Sequence, residues 1–300
     1  MSWFESLVLG LVQGLTEFLP ISSSAHLRLT AAFAGWEDPG AAFTAVTQIG
    51  TETAVLIYFR RDIARILSAW ARSLVRPEAR REHDAWLGWL VLIGSLPIGV
   101  LGLTLKDQIE GPFRDLRLIA VSLIVLGLVL GAADRFAAGQ GTAPTPSATR
   151  RSRTAPEPRG SGKTVEQLTV RDGLLYGCAQ ALALIPGVSR SGATISAGLF
   201  MGYTREAAAR YSFLLAIPAV LASGLFELRH VGEGHVSWGP TVLATLLAFL
   251  VGYAVIAWFM RFITTRGFMP FVVYRILLGL VILALVGVGA LTPHQGPSVG

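Results

Sequence analysis

Charged residues are scarce in this chain. Asp, Glu, Lys and Arg make up 15% of its 300 residues, hydrophobic residues make up 52%, and the mean hydropathy is +0.57. Soluble domains usually carry about 25% charged residues, and several apolar runs here approach the ~20 residues that a membrane-spanning helix requires. The composition therefore excludes an ordinary soluble domain and predicts a polytopic membrane protein.

Cysteine is almost absent. Cys178 is the only cysteine, which excludes an internal disulfide and a cysteine-based metal site. The N-terminal MSWFESLVLG lacks a basic segment and a small-residue cleavage site, so we expect no signal peptide to be removed. The net charge of +6 does not predict nucleic-acid binding, because the arginines lie between the apolar runs, where they orient the chain in the membrane.

The apolar runs predict an all-α membrane protein with about six spanning helices. These cover residues 41–59, 86–105, 117–134, 209–227, 239–261 and 271–291. Arginine-rich loops at 60–85, 135–171 and 261–266 belong on the cytoplasmic side, and the mixed-charge loops 106–116 and 228–238 on the other. Both termini then lie outside.

Two further apolar stretches are interrupted, and neither half of each is long enough to cross a bilayer. Pro20 divides residues 3–35, and Pro186 with Gly187 divides residues 172–201. We call these two interruptions the first and second breaks. Helix–break–helix segments of this kind are typical of re-entrant hairpins that line a protein cavity.

The two halves of the chain have similar sequences around the breaks. The first reads Gly10, Gln13, Leu15, Pro20, Ser22 and Ser24, and the second reads Gly177, Gln180, Leu182, Pro186, Ser189 and Ser191. Three predicted spans follow each break, and an odd number inverts the second copy. We therefore predict an inverted repeat with a site between the breaks; chance similarity of Gly-, Leu- and Ser-rich helices is the alternative. The repeats cover 1–136 and 171–292, followed by a tail at 293–300.

The segment between the repeats has a different composition. Residues 137–163 are rich in Pro, Ser, Thr, Gly and Arg and hold no large apolar residue. Such a segment cannot bury a core. We expect a disordered cytoplasmic linker over 137–170.

The first break carries ionisable and hydroxyl groups. Gln13 and Glu17 are one helical turn apart and share a face, and Ser22, Ser23, Ser24 and His26 follow. Placing a carboxylate at membrane depth is energetically unfavourable, so such a group usually has an ionic partner or a functional role. The alternative is a helix end at the interface, with the serines as caps and Glu17 in water.

The second break has the character of an anion site. Its contributors are the backbone of Gly187 and Gly192, the hydroxyls of Ser189, Ser191 and Thr194, and the guanidinium of Arg190. A helix over Ile195–Met201 would add its positive N-terminal end, and arginine suits phosphate oxygens. The alternative is an ordinary capped helix with Arg190 reaching the cytoplasmic surface. Phosphoryl transfer needs charge neutralisation, a nucleophile and a proton shuttle. If the two breaks face each other, their residues together supply all three.

These residues carry a resemblance to a known family. Gln13-x-x-x-Glu17, the following FLPISSSAH and the later PGVSRSGAT resemble the undecaprenyl-diphosphatase family, also called the bacitracin-resistance membrane phosphatases. The similarity includes Gln48–Thr51 and Phe213–Pro218 and omits the linker. It implies hydrolysis of undecaprenyl diphosphate to the carrier lipid used in cell-wall synthesis, at the outer face of the bacterial cytoplasmic membrane. It also implies two re-entrant hairpins in an inverted repeat and stimulation by Mg²⁺ or Ca²⁺. A homodimer is a separate expectation.

Carried over, the acidic motif falls on Gln13 and Glu17, the histidine on His26, and the second motif on Pro186–Thr194. Gln13 is a permitted variant of the family motif, and it removes one possible carboxylate ligand. We therefore expect the substrate phosphates to supply most of the metal coordination, with Glu17 acting on the metal mainly through them. Glu52, in the middle of a predicted span, and Gln48 are expected to support the site.

Our prediction from the sequence is a polyprenyl-diphosphate phosphatase. Arg190 clamps the phosphates, and Ser23 is the expected nucleophile, with water and His26 as alternatives. Glu17 and His26 move the proton. The competing predictions are an inverted-repeat transporter or flippase of a polyprenyl phosphate, a lipid phosphatase with a paired-histidine signature, and a non-catalytic scaffold.

Overall fold

The computed structural model describes residues 1–105, 109, 113, 115–140, 162–228 and 238–293. Over these residues the chain forms α-helices with short connections and no β-strand. The helices are α1 (Trp3–Thr16), α2 (Ser23–Ala34), α3 (Gly40–Tyr58), α4 (Arg60–Val75), α5 (His83–Thr104), α6 (Leu116–Gln140), α7 (Val170–Ala181), α8 (Arg190–Phe200), α9 (Arg205–Glu227), α10 (Trp238–Thr265) and α11 (Met269–Gly287).

Five of the six predicted spans are helices with the length and apolarity to cross a membrane. They are α5, α6, α9, α10 and α11, and the protein is a multi-pass membrane protein. The sixth predicted span, 41–59, is helix α3, which differs from the others because Thr47, Gln48, Thr51 and Glu52 interrupt its apolar sequence.

The segment 60–85, predicted as a cytoplasmic loop, contains a helix. Helix α4 is amphipathic and packs against α5. Its buried residues Ile66, Ala69 and Ser73 recur at helical spacing. The arginines between them obscured this period. The loops predicted at 106–116 and 228–238 lie largely outside the described residues.

Each break ends in a serine that caps the next helix. Ser22 has a φ of 75° and Ser189 a φ of 67°, and positive φ is uncommon outside glycine. Ser22 Oγ accepts a hydrogen bond from Ala25 N at 3.4 Å, and Ser189 Oγ accepts one from Gly192 N at 3.2 Å. The caps offset part of the backbone strain and set where α2 and α8 begin.

Glycines allow the helix before each break to dock closely on a spanning helix. A Cβ on Gly10 of α1 would lie 2.6 Å from the carbonyl oxygen of Ala244 in α10, and a Cβ on Gly177 of α7 would lie 2.4 Å from that of Gly94 in α5. Both distances are shorter than a carbon–oxygen contact allows. The equivalent glycines that the sequence places before the two breaks therefore make equivalent helix contacts.

An aromatic core lies beside the first break. Phe18 meets Phe213 edge-on, with ring centroids 5.6 Å apart, and Phe213 meets Phe259 in turn. Phe18 and Phe259 are almost completely buried. This core fixes the position of the neighbouring Glu17.

Both ends of the predicted linker belong to the folded protein. Residues 137–140 extend helix α6, and Val165 and Leu168 are buried in the core. Lys163 N donates to Gly202 O at 2.7 Å, and Lys163 O accepts from Thr204 N at 3.0 Å, so Lys163 lies opposite Tyr203. Residues 141–161 of the predicted linker and 294–300 of the predicted tail lie outside the described residues.

Candidate active site

Glu17 is the centre of a polar cluster at the first break. Gln13 Nε2 donates a hydrogen bond to Glu17 Oε2 at 2.7 Å, and Ser23 Oγ donates one to the same oxygen at 2.5 Å. The Glu17 side chain is 4% exposed, so its carboxylate is not an interfacial group in water. Ser23 is half-buried, and its hydroxyl lies directly beside the carboxylate.

Arg190 joins the two breaks. Its Nη2 donates to Glu17 Oε1 at 2.7 Å and lies 4.0 Å from Glu52 Oε2. Helix α8 begins at Arg190 itself, so the expectation of a loop followed by a helix at Ile195–Met201 is wrong. The positive φ of Ser189 starts the helix five residues earlier and places Arg190 in its first turn.

The remaining predicted binding residues occupy matching positions in the two breaks. Ser22 Oγ lies 3.2 Å from Ser24 Oγ, and Ser189 Oγ lies 3.2 Å from Ser191 Oγ. Ser191 also donates to Leu19 O at 3.1 Å, which is a contact from one break to the other. Gly187 has a φ of 93°, and Gly192 N is capped by Ser189 as described above. The Thr194 hydroxyl donates to Arg190 O at 2.7 Å and contacts Ser212.

His26 is held on both sides of its ring. Its Nδ1 lies 2.7 Å from Ser22 O, and its Nε2 lies 2.7 Å from Tyr274 Oη. A carbonyl oxygen only accepts, so Nδ1 carries a proton, and in the neutral ring Nε2 accepts the hydrogen bond that Tyr274 Oη donates. His26 has no described hydrogen bond to Glu17. The structure thus adds Tyr274, 248 positions further along the chain, as a partner of His26 that was not predicted from the sequence.

Of the two predicted supporting residues, Glu52 lies near Arg190 and Gln48 has no described contact with the site. Glu52 is 1% exposed and reaches Arg190, so the structure brings it to the site. Gln48 is half-buried, and among the described contacts only its backbone carbonyl has a partner, Thr51 Oγ1 at 2.9 Å. The structure does not connect the Gln48 side chain with Glu17 or Arg190.

Comparison with known proteins identifies the family. A model of the bacitracin resistance protein BacA family matches residues 6–281 of this chain. The chain belongs to the BacA family. Over the full length of both proteins it is 72% identical to the undecaprenyl-diphosphatase of Streptomyces griseus and 69% identical to undecaprenyl-diphosphatase 2 of Streptomyces avermitilis. It is 59% identical to the undecaprenyl-diphosphatase of Thermobifida fusca, covering 99% of this chain and 94% of that one.

Arg275 of this BacA-family protein also contacts both breaks, which was not predicted from the sequence. It lies in α11 and is 0% exposed. Its guanidinium donates to Pro20 O at 3.0 Å in the first break, to Gly187 O at 2.8 Å and Val188 O at 3.1 Å in the second, and to two carbonyls of α6. It thus satisfies backbone groups that the breaks leave without helical partners. An ionisable residue within an apolar span was the available signal.

Replacing Arg275 is expected to destabilise the protein. In Arg275→Met the break carbonyls lose their buried donors, and we expect the free energy of unfolding to fall by about 3 kcal/mol. The midpoint of thermal unfolding in detergent, followed by circular dichroism, measures the effect. Arg171→Met, on the exposed start of α7, is the matched control. Equal midpoints for Arg275→Met and wild type would contradict the assignment.

Proposed function

We propose that this protein hydrolyses undecaprenyl diphosphate to undecaprenyl phosphate and inorganic phosphate. The observation that carries the proposal is the ion pair of Arg190 and Glu17 across the two breaks, with Ser23 on the same carboxylate. The names of the full-length relatives support this substrate. By regenerating the monophosphate carrier for cell-wall synthesis, the enzyme would counter bacitracin, in keeping with its family.

Arg190 has two uses in the proposed reaction. Without substrate it neutralises Glu17 at 2.7 Å. A diphosphate offers the guanidinium more anionic oxygens in the bidentate geometry that arginine prefers. As Arg190 turns toward the phosphate, Glu17 loses its cation and is left to accept a proton. Substrate binding therefore makes Glu17 a stronger base while Ser23 is hydrogen-bonded to it.

We assign the nucleophile to Ser23. Its Oγ attacks the terminal phosphorus as its proton passes to Glu17. The bond from that phosphorus to the bridging oxygen breaks, and Glu17 gives the proton to the leaving undecaprenyl phosphate. The ionised Glu17 then takes a proton from the water that attacks the phosphoserine and gives it to the departing Ser23 Oγ, which releases inorganic phosphate and restores the serine. His26 is less suited to attack, because both of its ring nitrogens have partners; we give it and Tyr274 the task of positioning Ser22 and of moving protons.

We further propose that a divalent cation, Mg²⁺ or Ca²⁺, binds with the substrate. Buried oxygens without a described partner remain on Gln13 (Oε1) and Glu52 (Oε1), beside the Glu17 carboxylate. No group of three or more His, Cys, Asp or Glu residues suited to a metal occurs among the described residues. This donor set fits a cation held by one or two carboxylates and by substrate phosphates. When bound, the cation would neutralise phosphate charge.

For the architecture we propose an inverted repeat with two re-entrant hairpins. The support is the equivalent capping serines, the equivalent docking of α1 on α10 and of α7 on α5, and the cross-contact of Ser191 with Leu19. Helix α3 would be the sixth span, since its polar face turns Glu52 to the site.

We propose that repeats 1–136 and 171–292 lie in the bacterial cytoplasmic membrane, with both termini and the site opening outward and the linker inside. A homodimer remains a prediction.

Release of inorganic phosphate from undecaprenyl diphosphate is the test. The purified full-length protein in detergent, with Mg²⁺, with Ca²⁺ and with chelator, should release phosphate in the presence of cation. A transporter of the same lipid would instead move it across a vesicle membrane without release. A folded wild-type protein that releases no phosphate under any of these conditions would overturn the proposal.

Glu17→Gln is expected to lower the rate of phosphate release by about 10²-fold, because the amide keeps the shape of the side chain but accepts no proton. The initial rate at saturating substrate measures the loss. Glu52→Gln is the control, since it removes an equally buried carboxylate that has no contact with Ser23; it should lose less. Equal losses in the two variants would argue that Glu17 acts only through its charge.

A further inference from the structure

One face of helix α4 packs against the rest of the protein. Ile66, Ala69 and Ser73 are buried against α5, and Ser73 Oγ accepts a hydrogen bond from Trp89 Nε1 at 3.1 Å. A Cβ on Gly88 would lie 2.9 Å from the Cβ of Trp70, so the two helices are in close contact. This face fixes the direction in which the rest of α4 points.

The second face of α4 is apolar and uncovered. Leu67, Leu74 and Val75 are 57%, 49% and 78% exposed, and Ala64 and Ala71 are exposed with them. Positions 64, 67, 71, 74 and 75 follow the helical spacing of three and four residues, so they form one stripe. A continuous stripe of this size is not expected to face water.

The third face is basic and adjoins the stripe. Arg61, Arg65 and Arg72 are exposed, and at 100° per residue they lie next to Ala64 and Ala71. Between residues 60 and 82 the chain has seven arginines and three carboxylates. Some of this charge is paired, Arg65 with Asp62 at 2.9 Å and Arg72 with Glu82 at 2.6 Å. The segment nevertheless keeps an excess of positive charge.

Tryptophans indicate the depth of α4. Trp70 of α4 and Trp89 of α5 have ring centroids 5.8 Å apart, and Trp86 lies one turn before Trp89. Tryptophan is enriched where the membrane meets water. Because α5 is a spanning helix that starts at His83, this cluster places α4 at the level of the headgroups.

We propose that α4 is an interfacial helix that binds a membrane surface of anionic phospholipids. The apolar stripe enters the acyl region below the headgroups, and the adjoining arginines contact lipid phosphates. Charge complementarity between the adjoining arginines and lipid phosphates favours this partner over a second protein. The inference is independent of the hydrolase reaction, since no residue of α4 contacts Glu17 or Arg190 among the described contacts.

Two measurements on full-length protein test the proposal. The first measures depth with a nitroxide attached to Leu67→Cys in a Cys178→Ser background, in vesicles of phosphatidylcholine with phosphatidylglycerol. The label should be accessible to oxygen and shielded from a water-soluble nickel chelate. Free access of the chelate would overturn the proposal, as would shielding that appears only at high protein density, because a second copy would then cover the stripe.

The second measurement compares retention of phosphatidylglycerol with that of phosphatidylcholine by native mass spectrometry. Arg61→Gln with Arg72→Gln should weaken anionic-lipid retention roughly fivefold for each arginine removed. Arg261→Gln with Arg266→Gln makes the same change of charge on the same predicted side but outside α4. Equal losses in the two double variants, or no loss in the first, would overturn the proposal. Phosphate release in detergent should match wild type in the α4 variant, so a failure of the hydrolase assignment would leave these lipid readouts unaffected.

Discussion

Arg190→Ala is expected to lower phosphate release from undecaprenyl diphosphate by about 10⁴-fold. The variant loses the only described guanidinium beside Glu17, and arginine at a transferring phosphoryl group typically contributes 10³–10⁵ in rate. We expect the loss to persist at saturating Mg²⁺ or Ca²⁺, because the bidentate contact with phosphate oxygens is not replaced by a spherical ion. Initial rates of phosphate release in detergent, with substrate and cation varied, measure it.

Two controls accompany this variant. Arg190→Lys keeps the charge but not the planar fork, so it should recover part of the rate. Arg171→Ala removes an exposed arginine at the start of α7, the helix before the second break, and should retain the wild-type rate. The proposed role of Arg190 would be wrong if Arg190→Ala, folded as judged by its thermal midpoint, released phosphate at more than a tenth of the wild-type rate.

Ser23→Ala is expected to lose about 10⁴-fold or more of the activity, because removing a nucleophile leaves only binding and charge stabilisation. The hydroxyl that donates to Glu17 Oε2 at 2.5 Å disappears, while Gln13 and Arg190 keep their contacts with the carboxylate. Acid quenching with substrate labelled in its terminal phosphate should trap label on wild-type protein and none on Ser23→Ala.

Ser24→Ala is the matched control for Ser23. It removes a neighbouring half-buried hydroxyl in the same turn, whose described partner is Ser22 and not Glu17, and it should lose far less of the rate than Ser23→Ala. Retention of activity in Ser23→Ala, together with no trapped label in wild type, would assign the attack to water.

The spanning helices and the reactive segments could be predicted because their signals are local. An apolar run long enough to cross a bilayer predicts a helix whatever its neighbours are, and the bounds of α5, α6, α9, α10 and α11 agree with the runs to within several residues. Pro20 and Pro186 with Gly187 likewise located the breaks, since proline ends a helix by removing a donor. The start of α8 was missed because it depends on the conformation of Ser189.

The sequence by itself determined that this is a multi-pass helical membrane protein of the BacA family with its polar residues at two breaks, because composition, run length and short motifs are properties of the chain. Only the tertiary structure decided which of those residues meet. The contact of Arg190 with Glu17 spans 173 positions and that of Arg275 with Pro20 spans 255, and no periodicity encodes such separations. They arise because buried charges and unpaired break carbonyls must find partners from other helices once the lipid-facing surfaces exclude water.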